Sequence, residues 1–423
     1  MADTKDHMGR PLVAVTGIGM VTSLGVGKKD NWAALTSGTS GIHPITRFPV
    51  DQLSTRISGM VDFLPSSDKG ASALTYELAE KAAHEAIAES GFSLDDFGGP
   101  LFLASPPMEL DWHDRFSLYN SGKGDGDPDR LLEVARGLTS LDLFETAQFG
   151  SIADRLAERF GATGLPITLS TACASGATAI QLGVEAIRRG EADRALAIGA
   201  DGSATAEALI RFSLLSALST SNDDPAKASK PFSKDRDGFV LAEGSAALVL
   251  ESLESAVARG ATVLGILLGC GEKADDFHRT RSKPDASPAI AAVRAALADA
   301  GLSDNEIDYI NAHGTSTPEN DKMEHLSLST VFGERIRSIP VSSNKSMIGH
   351  TLSAAGAIEA AVSLMTMREG VLPPTINYDN PDPAIQLDVV PNTSRTAQVG
   401  TVLSNSFGFG GQNTCLVMAR EPV

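Results

Sequence analysis

A single cysteine stands in the small-residue run LSTACASGATAI, residues 169–180, with no second cysteine near it in sequence. The β-favouring residues Ile167, Thr168 and Leu169 lead into the run. Apolar residues then recur at helical spacing through Ile180, Leu182, Val184 and Ile187, until Gly190. This pattern predicts strand, sharp turn and helix, with Cys173 at the turn or in the first helical turn. The unpaired N–H groups and positive dipole end of a helix would there favour thiolate over thiol. The neighbours Ala172, Ala174, Ser175 and Gly176 leave room for a bulky reactant. The alternative is a buried structural cysteine, and the rest of the chain has to decide between them.

Three further segments carry reactive side chains. YINAHGTSTPENDKME (309–324) puts His313 after a short apolar strand, followed by hydroxyls at Thr315, Ser316 and Thr317. SSNKSMIGHTLSAAGA (342–357) puts Lys345 five residues before His350, which stands at the start of a helix. LSNSFGFGGQN (403–413) sets Phe407 and Phe409 among glycines after a strand. Each histidine alone reads as structural. A cysteine, two histidines and a lysine, all on strand-end loops, form a set that meets the needs of a thiol nucleophile. Such a nucleophile requires a charge or proton partner and donors for a developing oxyanion.

The elements that must position these groups are legible in outline. Strand-like runs at 12–17, 194–200, 245–251, 261–270 and 402–407 alternate with Ala-rich helical stretches at 73–90, 151–160, 176–189, 286–300 and 354–368. That alternation predicts an α/β architecture with buried strands. The helix after Cys173 and the helix after His350 echo each other, which suggests two related halves meeting near 255. GIGMVTSLG (17–25) lacks the last glycine of a dinucleotide loop, and GTSTP (314–318) lacks the final glycine of a nucleophile elbow. The chain has 423 residues, three cysteines without a CxxC pair, and a net charge of −18. These features argue against metal centres, nucleic acid and anionic membrane as partners, and for a reducing cytoplasm. The amino-terminal residues have no apolar core, and no run approaches the ~20 apolar residues of a membrane span.

TACASG, NAHGTSTPxxD, KSMxGHxLxAAGAxE and NSFGFGGxN, in that order, closely resemble the motifs of the β-ketoacyl-acyl-carrier-protein synthases of type I/II, the condensing enzymes of fatty acid synthesis. SKPFSKDRDGFVLAEGSAALVLE (229–251) and LPPTIN (372–377) are similar too. The resemblance implies a thiolase fold, with duplicated βαβαβαββ halves in five αβαβα layers. Here these halves would be residues 1–255 and 256–423. It implies a 3-oxoacyl-[acyl-carrier-protein] synthase that condenses a Cys-bound acyl group with malonyl-acyl-carrier-protein, releasing CO₂. Cys173 would be the nucleophile, and the N–H groups of Cys173 and Phe409 the oxyanion hole. His313 and His350 would act on the malonyl thioester, with Lys345 behind them and Glu359 ordering Lys345. Thr315 and Thr317 would bind phosphopantetheine. Met108, Phe212, Phe407 and Phe409 would form the acyl pocket and its gate. The enzyme would hold no metal or cofactor, because 4′-phosphopantetheine arrives on the acyl carrier protein, and it would be a cytoplasmic homodimer without membrane insertion.

The chain departs from the family at three places, one of them GQN for the commoner GTN at 411–413. The segment around 101–125 replaces a glycine-rich run, and Met108 falls near the position that limits acyl depth. RFSLLSALST (211–220) carries Leu214, Leu215 and Ser216 where relatives have small residues and an arginine. Intact chemistry beside an altered pocket wall suggests specialised elongation of long or very long chains. Arg211, Lys227, Lys230, Lys234, Arg279 and Arg281 are expected to supply a local basic patch for an acidic carrier protein. Two other readings are a thiolase-like enzyme using CoA thioesters and an inactive chain-length-factor partner. His350 after Lys345 argues against the first, and Cys173 against the second.

Overall fold

In the computed structural model of the chain, residues 4–121 and 141–422 are described. Of the altered segment 101–125, residues 122–125 therefore lie outside the described residues. Ten strands carry the architecture. They are β1 (Val13–Thr22), β2 (Leu101–Ala104), β3 (Ile167–Leu169), β4 (Arg194–Asp201), β5 (Gly244–Ser252), β6 (Gly265–Ala274), β7 (Tyr309–Asn311), β8 (Pro340–Ser342), β9 (Thr401–Phe407) and β10 (Gln412–Ala419). They lie in one sheet in the order β8-β7-β9-β10-β6-β1-β5-β4-β2-β3, with a two-residue strand, Asp388–Val389, beyond β8.

This order repeats itself. Counted within each half, both β3-β2-β4-β5-β1 and β8-β7-β9-β10-β6 run third, second, fourth, fifth, first. The strand senses repeat as well. β1–β5 and β5–β4 are antiparallel, as are β6–β10 and β10–β9. The pairs β4–β2 and β2–β3 are parallel, as are β9–β7 and β7–β8. The two sets join through an antiparallel contact of β1 with β6 at Val13–Leu267, Ala14–Ile266 and Val15–Gly265.

Helices cover both faces and fill the middle. α1 (Ala71–Ser90) packs on β1, β5 and β4, and α4 (Ser287–Ala300) packs on β6 and β10. Between the sheet halves lie α2 (Ser175–Arg188) and α6 (Ala355–Glu369), which touch each other and strands of both halves. Every residue of α6 from Ala355 to Met367 is buried, as a helix enclosed on all sides requires. Alanine, glycine and serine dominate their opening turns because the two backbones meet there. A Cβ on Gly176 would stand 2.5 Å from the Ala357 nitrogen, and one on Gly356 would stand 2.5 Å from the Ala177 nitrogen. The sequence echo is thus a spatial crossing, and it brings the loops before the two helices together.

Among the helices outside the stretches read from sequence, α3 (Ala206–Leu214) and α5 (Pro318–Phe332) border the site. Thr205 caps α3 by accepting from the Ala208 N–H, and Thr317 caps α5 by accepting from the Asn320 N–H. The Thr-Pro-Glu start of α5 is a capping signal that the polar composition of the segment obscures.

Candidate active site

β3 ends at Leu169, and Ala172 then turns with a φ of 50°, a left-handed backbone strained for any residue but glycine. Cys173 follows, buried, one residue before the Ala174 cap of α2. The Ser175 hydroxyl accepts from the Thr171 N–H at 2.8 Å and closes the turn. The Phe409 N–H faces Cys173 and favours its thiolate. Between them, a Cβ on Gly408 would lie 2.9 Å from the Thr171 oxygen and 3.3 Å from the Cys173 nitrogen. A bare Gly408 therefore keeps the space beside the two amides open.

The electrostatics of the sulfur correct the sequence expectation of a lowered thiol. Burial pushes Cys173 up to about 11, and the Phe409 N–H and the Lys345 charge offset only part of that.

His313 follows β7. The buried carboxylate of Glu324, on α5, accepts from the His313 and Gly314 N–H groups at 2.8 Å each and from Asn405 Nδ2 at 3.1 Å. Glu324 holds the His313 loop against β9, and sequence reasoning missed it. Lys345 Nζ donates to the His313 carbonyl at 2.7 Å, lies 3.4 Å from His313 Nδ1, and pairs directly with Glu359 of α6. His350 follows the four-residue helix Lys345–Ile348, and its Nδ1 accepts from the Leu352 N–H at 3.3 Å. With Nδ1 of each ring facing a donor, Nε2 carries the proton of both neutral imidazoles. Burial and the Lys345 charge hold both histidines well below 6.5, and burial raises Glu359 to about 7.

The rings of His313 and His350 stand edge to face with centroids 5.3 Å apart, and Phe407 lies 5.9 Å from His313. A cavity of about 780 Å³ joins Cys173, His313, His350, Thr315, Thr317 and Phe407. The Thr315 and Thr317 hydroxyls are hydrogen-bonded to each other at 2.8 Å. Lys345 and Glu359 do not line this cavity; they stand behind the histidines. A second cavity, of about 400 Å³, also reaches Cys173 and contains Met108. Phe212, Leu215, Leu352 and Phe409 line both cavities and separate them.

Of the six basic residues expected to form a patch, Arg279 and Arg281 line the larger cavity, together with Lys322. Arg211 does not join them, because Glu109 binds it at 2.7 Å. Lys227 pairs with Asp224 at 3.4 Å and Lys230 with Asp235 at 3.1 Å, while Lys234 lies in the field of Asp382.

A strained turn presenting a cysteine beside two amides, with two neutral histidines across a cavity, stands on a thiolase-like fold. The families described as "Beta-ketoacyl synthase, N-terminal domain" and "Beta-ketoacyl synthase, C-terminal domain" match residues 11–96 with 121–256, and 264–379. The chain belongs to the β-ketoacyl synthase family. It is 36% identical over 423 residues to 3-oxoacyl-[acyl-carrier-protein] synthase 2 of Coxiella burnetii, covering 96% of this chain and 98% of that one. It is 37% identical over 414 residues to the tetracenomycin polyketide synthase ketoacyl synthase alpha subunit of Streptomyces glaucescens, covering 96% and 97%. Among solved structures, a type II polyketide ketosynthase bound to the hexaketide, in complex with its acyl-carrier protein, superposes with a TM-score of 0.86. That pair is 31% identical and covers 97% of this chain and 100% of the other.

Proposed function

We propose that this chain is a 3-oxoacyl-acyl-carrier-protein synthase that elongates an acyl group held on Cys173. In the first half-reaction, Cys173 attacks the thioester of an acyl group on 4′-phosphopantetheine, brought by the carrier protein. The new bond is Cys173 S–acyl, and the thiol proton leaves with the pantetheine sulfur. The Cys173 and Phe409 amides stabilise the tetrahedral oxyanion. In the second, malonyl-carrier protein enters the larger cavity, where the Thr315 and Thr317 hydroxyls bind its pantetheine. The Nε2–H groups of His313 and His350 donate to the thioester carbonyl, so the electron pair freed as CO₂ leaves rests as an enolate. That carbon attacks the acyl carbonyl, and collapse of the oxyanion expels the Cys173 sulfur, which takes up a proton from solvent, and gives the 3-oxoacyl product. Neutral donors suffice because no strong base is needed. Lys345 and Glu359 are positioning residues behind the histidines.

The observation that carries this reading is the junction at Cys173. One cavity leads to the histidines, the other leads away from them, and phenylalanines stand between. The acyl chain occupies the second, past Phe212 and Met108, while the carrier arm occupies the first. Two like halves, 1–255 and 256–423, account for the repeated strand order. A cytoplasmic homodimer fits the chain: among the described residues β3 is a sheet edge, and its own Ile167 and the nearby Leu165 are exposed. The test is intact-protein mass spectrometry after incubation with acyl-carrier protein. One acyl adduct is expected on Cys173; an adduct on Cys270 or Cys415, or none, rejects the reading.

A further inference from the structure

We propose that the ion bridge from Glu109 to Arg211 and Arg115, rather than Met108, sets the length of acyl chain that Cys173 carries. This deepens the condensing reading and rests on it. The bridge lies on the wall of the second cavity. Glu109 follows β2 on the segment Pro106–Asp111, and Arg211 projects from α3. Arg211 Nη1 and Nη2 donate to the two carboxylate oxygens at 2.7 Å each, and Arg115 Nη2 adds a third bond at 2.6 Å. All three side chains line the cavity. Glu207 lines it too, and its buried Oε1 has no hydrogen-bond partner among the described residues.

The wall around Cys173 combines the apolar Ala172, Phe212, Leu352 and Phe409 with the buried Asp201, whose carboxylate already accepts hydrogen bonds from Ser203 and from the Ser353 N–H. A methyl end that grows past them meets a carboxylate and two guanidiniums. To go further it must take these groups out of water without replacing a hydrogen bond, which is unfavourable. Met108 offers no such stop, because an unbranched thioether bends aside for a growing chain. Arg211 also precedes Phe212, which stands between the cavities, so the bridge fixes the helix that carries that ring.

The bridge is partly exposed, with side-chain exposures of 42% for Glu109 and 56% for Arg211. Exposed ion pairs contribute little each, so breaking this one should move chain-length preference by about fivefold. The experiment measures kcat/KM for a C6 to C20 acyl-carrier-protein series with wild type, Glu109→Ala, Arg211→Ala, the double variant and Met108→Ala. The C16 to C8 ratio should rise about fivefold in each bridge variant, no further in the double variant, and little in Met108→Ala. Raised salt should move wild type the same way. Superimposed profiles, additive single effects, or a shift confined to Met108→Ala would each overturn the bridge. Acylation of Cys173 by the C8 substrate is the internal reference. Its absence in wild type overturns the condensing reading itself, whereas acylation with unshifted profiles overturns the bridge alone.

Discussion

With its thiol at about 11, Cys173 is protonated throughout the neutral range, and its reactivity is released only as a bound thioester draws the proton away. Inactivation by iodoacetamide should therefore rise about tenfold per pH unit between pH 7 and 9. A rate already level at pH 7 would mean a standing thiolate and would contradict the burial argument. The histidines behave oppositely. Held well below 6.5, they stay neutral as pH falls through the neutral range, while Glu359, at about 7, gains a proton there. Protonation removes the negative partner of Lys345. Malonyl decarboxylation should thus fall as pH drops through 7 in wild type, and that limb should vanish in Glu359→Gln, at a lower plateau. A limb that persists in the variant assigns the titration to a histidine. Sequence alone pointed to Cys173, His313, His350 and Lys345 because small residues frame each of them. It misjudged the thiol because desolvation depends on what covers the sulfur, which no local motif records. It passed over Glu324 because that carboxylate sits within a polar helix and acts on backbone amides, leaving no pattern of its own.

The crossing of α2 and α6 is the element on which the site depends. Cys173 precedes one helix and His350 the other, so their separation follows from how closely the helices approach at Gly176 and Gly356. Gly176→Val places carbon where the Ala357 amide stands. It should cost about 2–3 kcal/mol of stability, read as a fall in the denaturant midpoint, and should depress condensation through the altered Cys–His spacing. Unchanged stability would mean that the helices slide apart freely. The alternation of strands and Ala-rich helices was readable, and its boundaries fall within a few residues of the structure. The strand pairing was not readable, because β1 meets β5 and β6 across long stretches of chain. α3 and α5 were not readable either: α5 has no apolar stripe, and α3 is short and mixed, so only their threonine caps announce them.

At the scale of the whole molecule, a net charge of −18 opposes an acidic partner everywhere except where positive charge gathers locally. Arg279, Arg281 and Lys322 do so at the larger cavity, whereas Arg211, Lys227 and Lys230 spend their charge on carboxylates of this chain. Arg279→Glu with Arg281→Glu should raise the KM for carrier protein about tenfold at low salt, and the difference should shrink at high salt. An unchanged KM would put the contact elsewhere. The position of Cys173 between two cavities has a pharmacological consequence. A compound with a thiol-reactive centre and two arms, one apolar and one polar, could occupy both spaces from the same attachment point. Each seated arm raises the effective concentration of the other. Potency would then come from linkage rather than from an aggressive warhead, and the buried Cys270 and Cys415, which line neither cavity, would be spared.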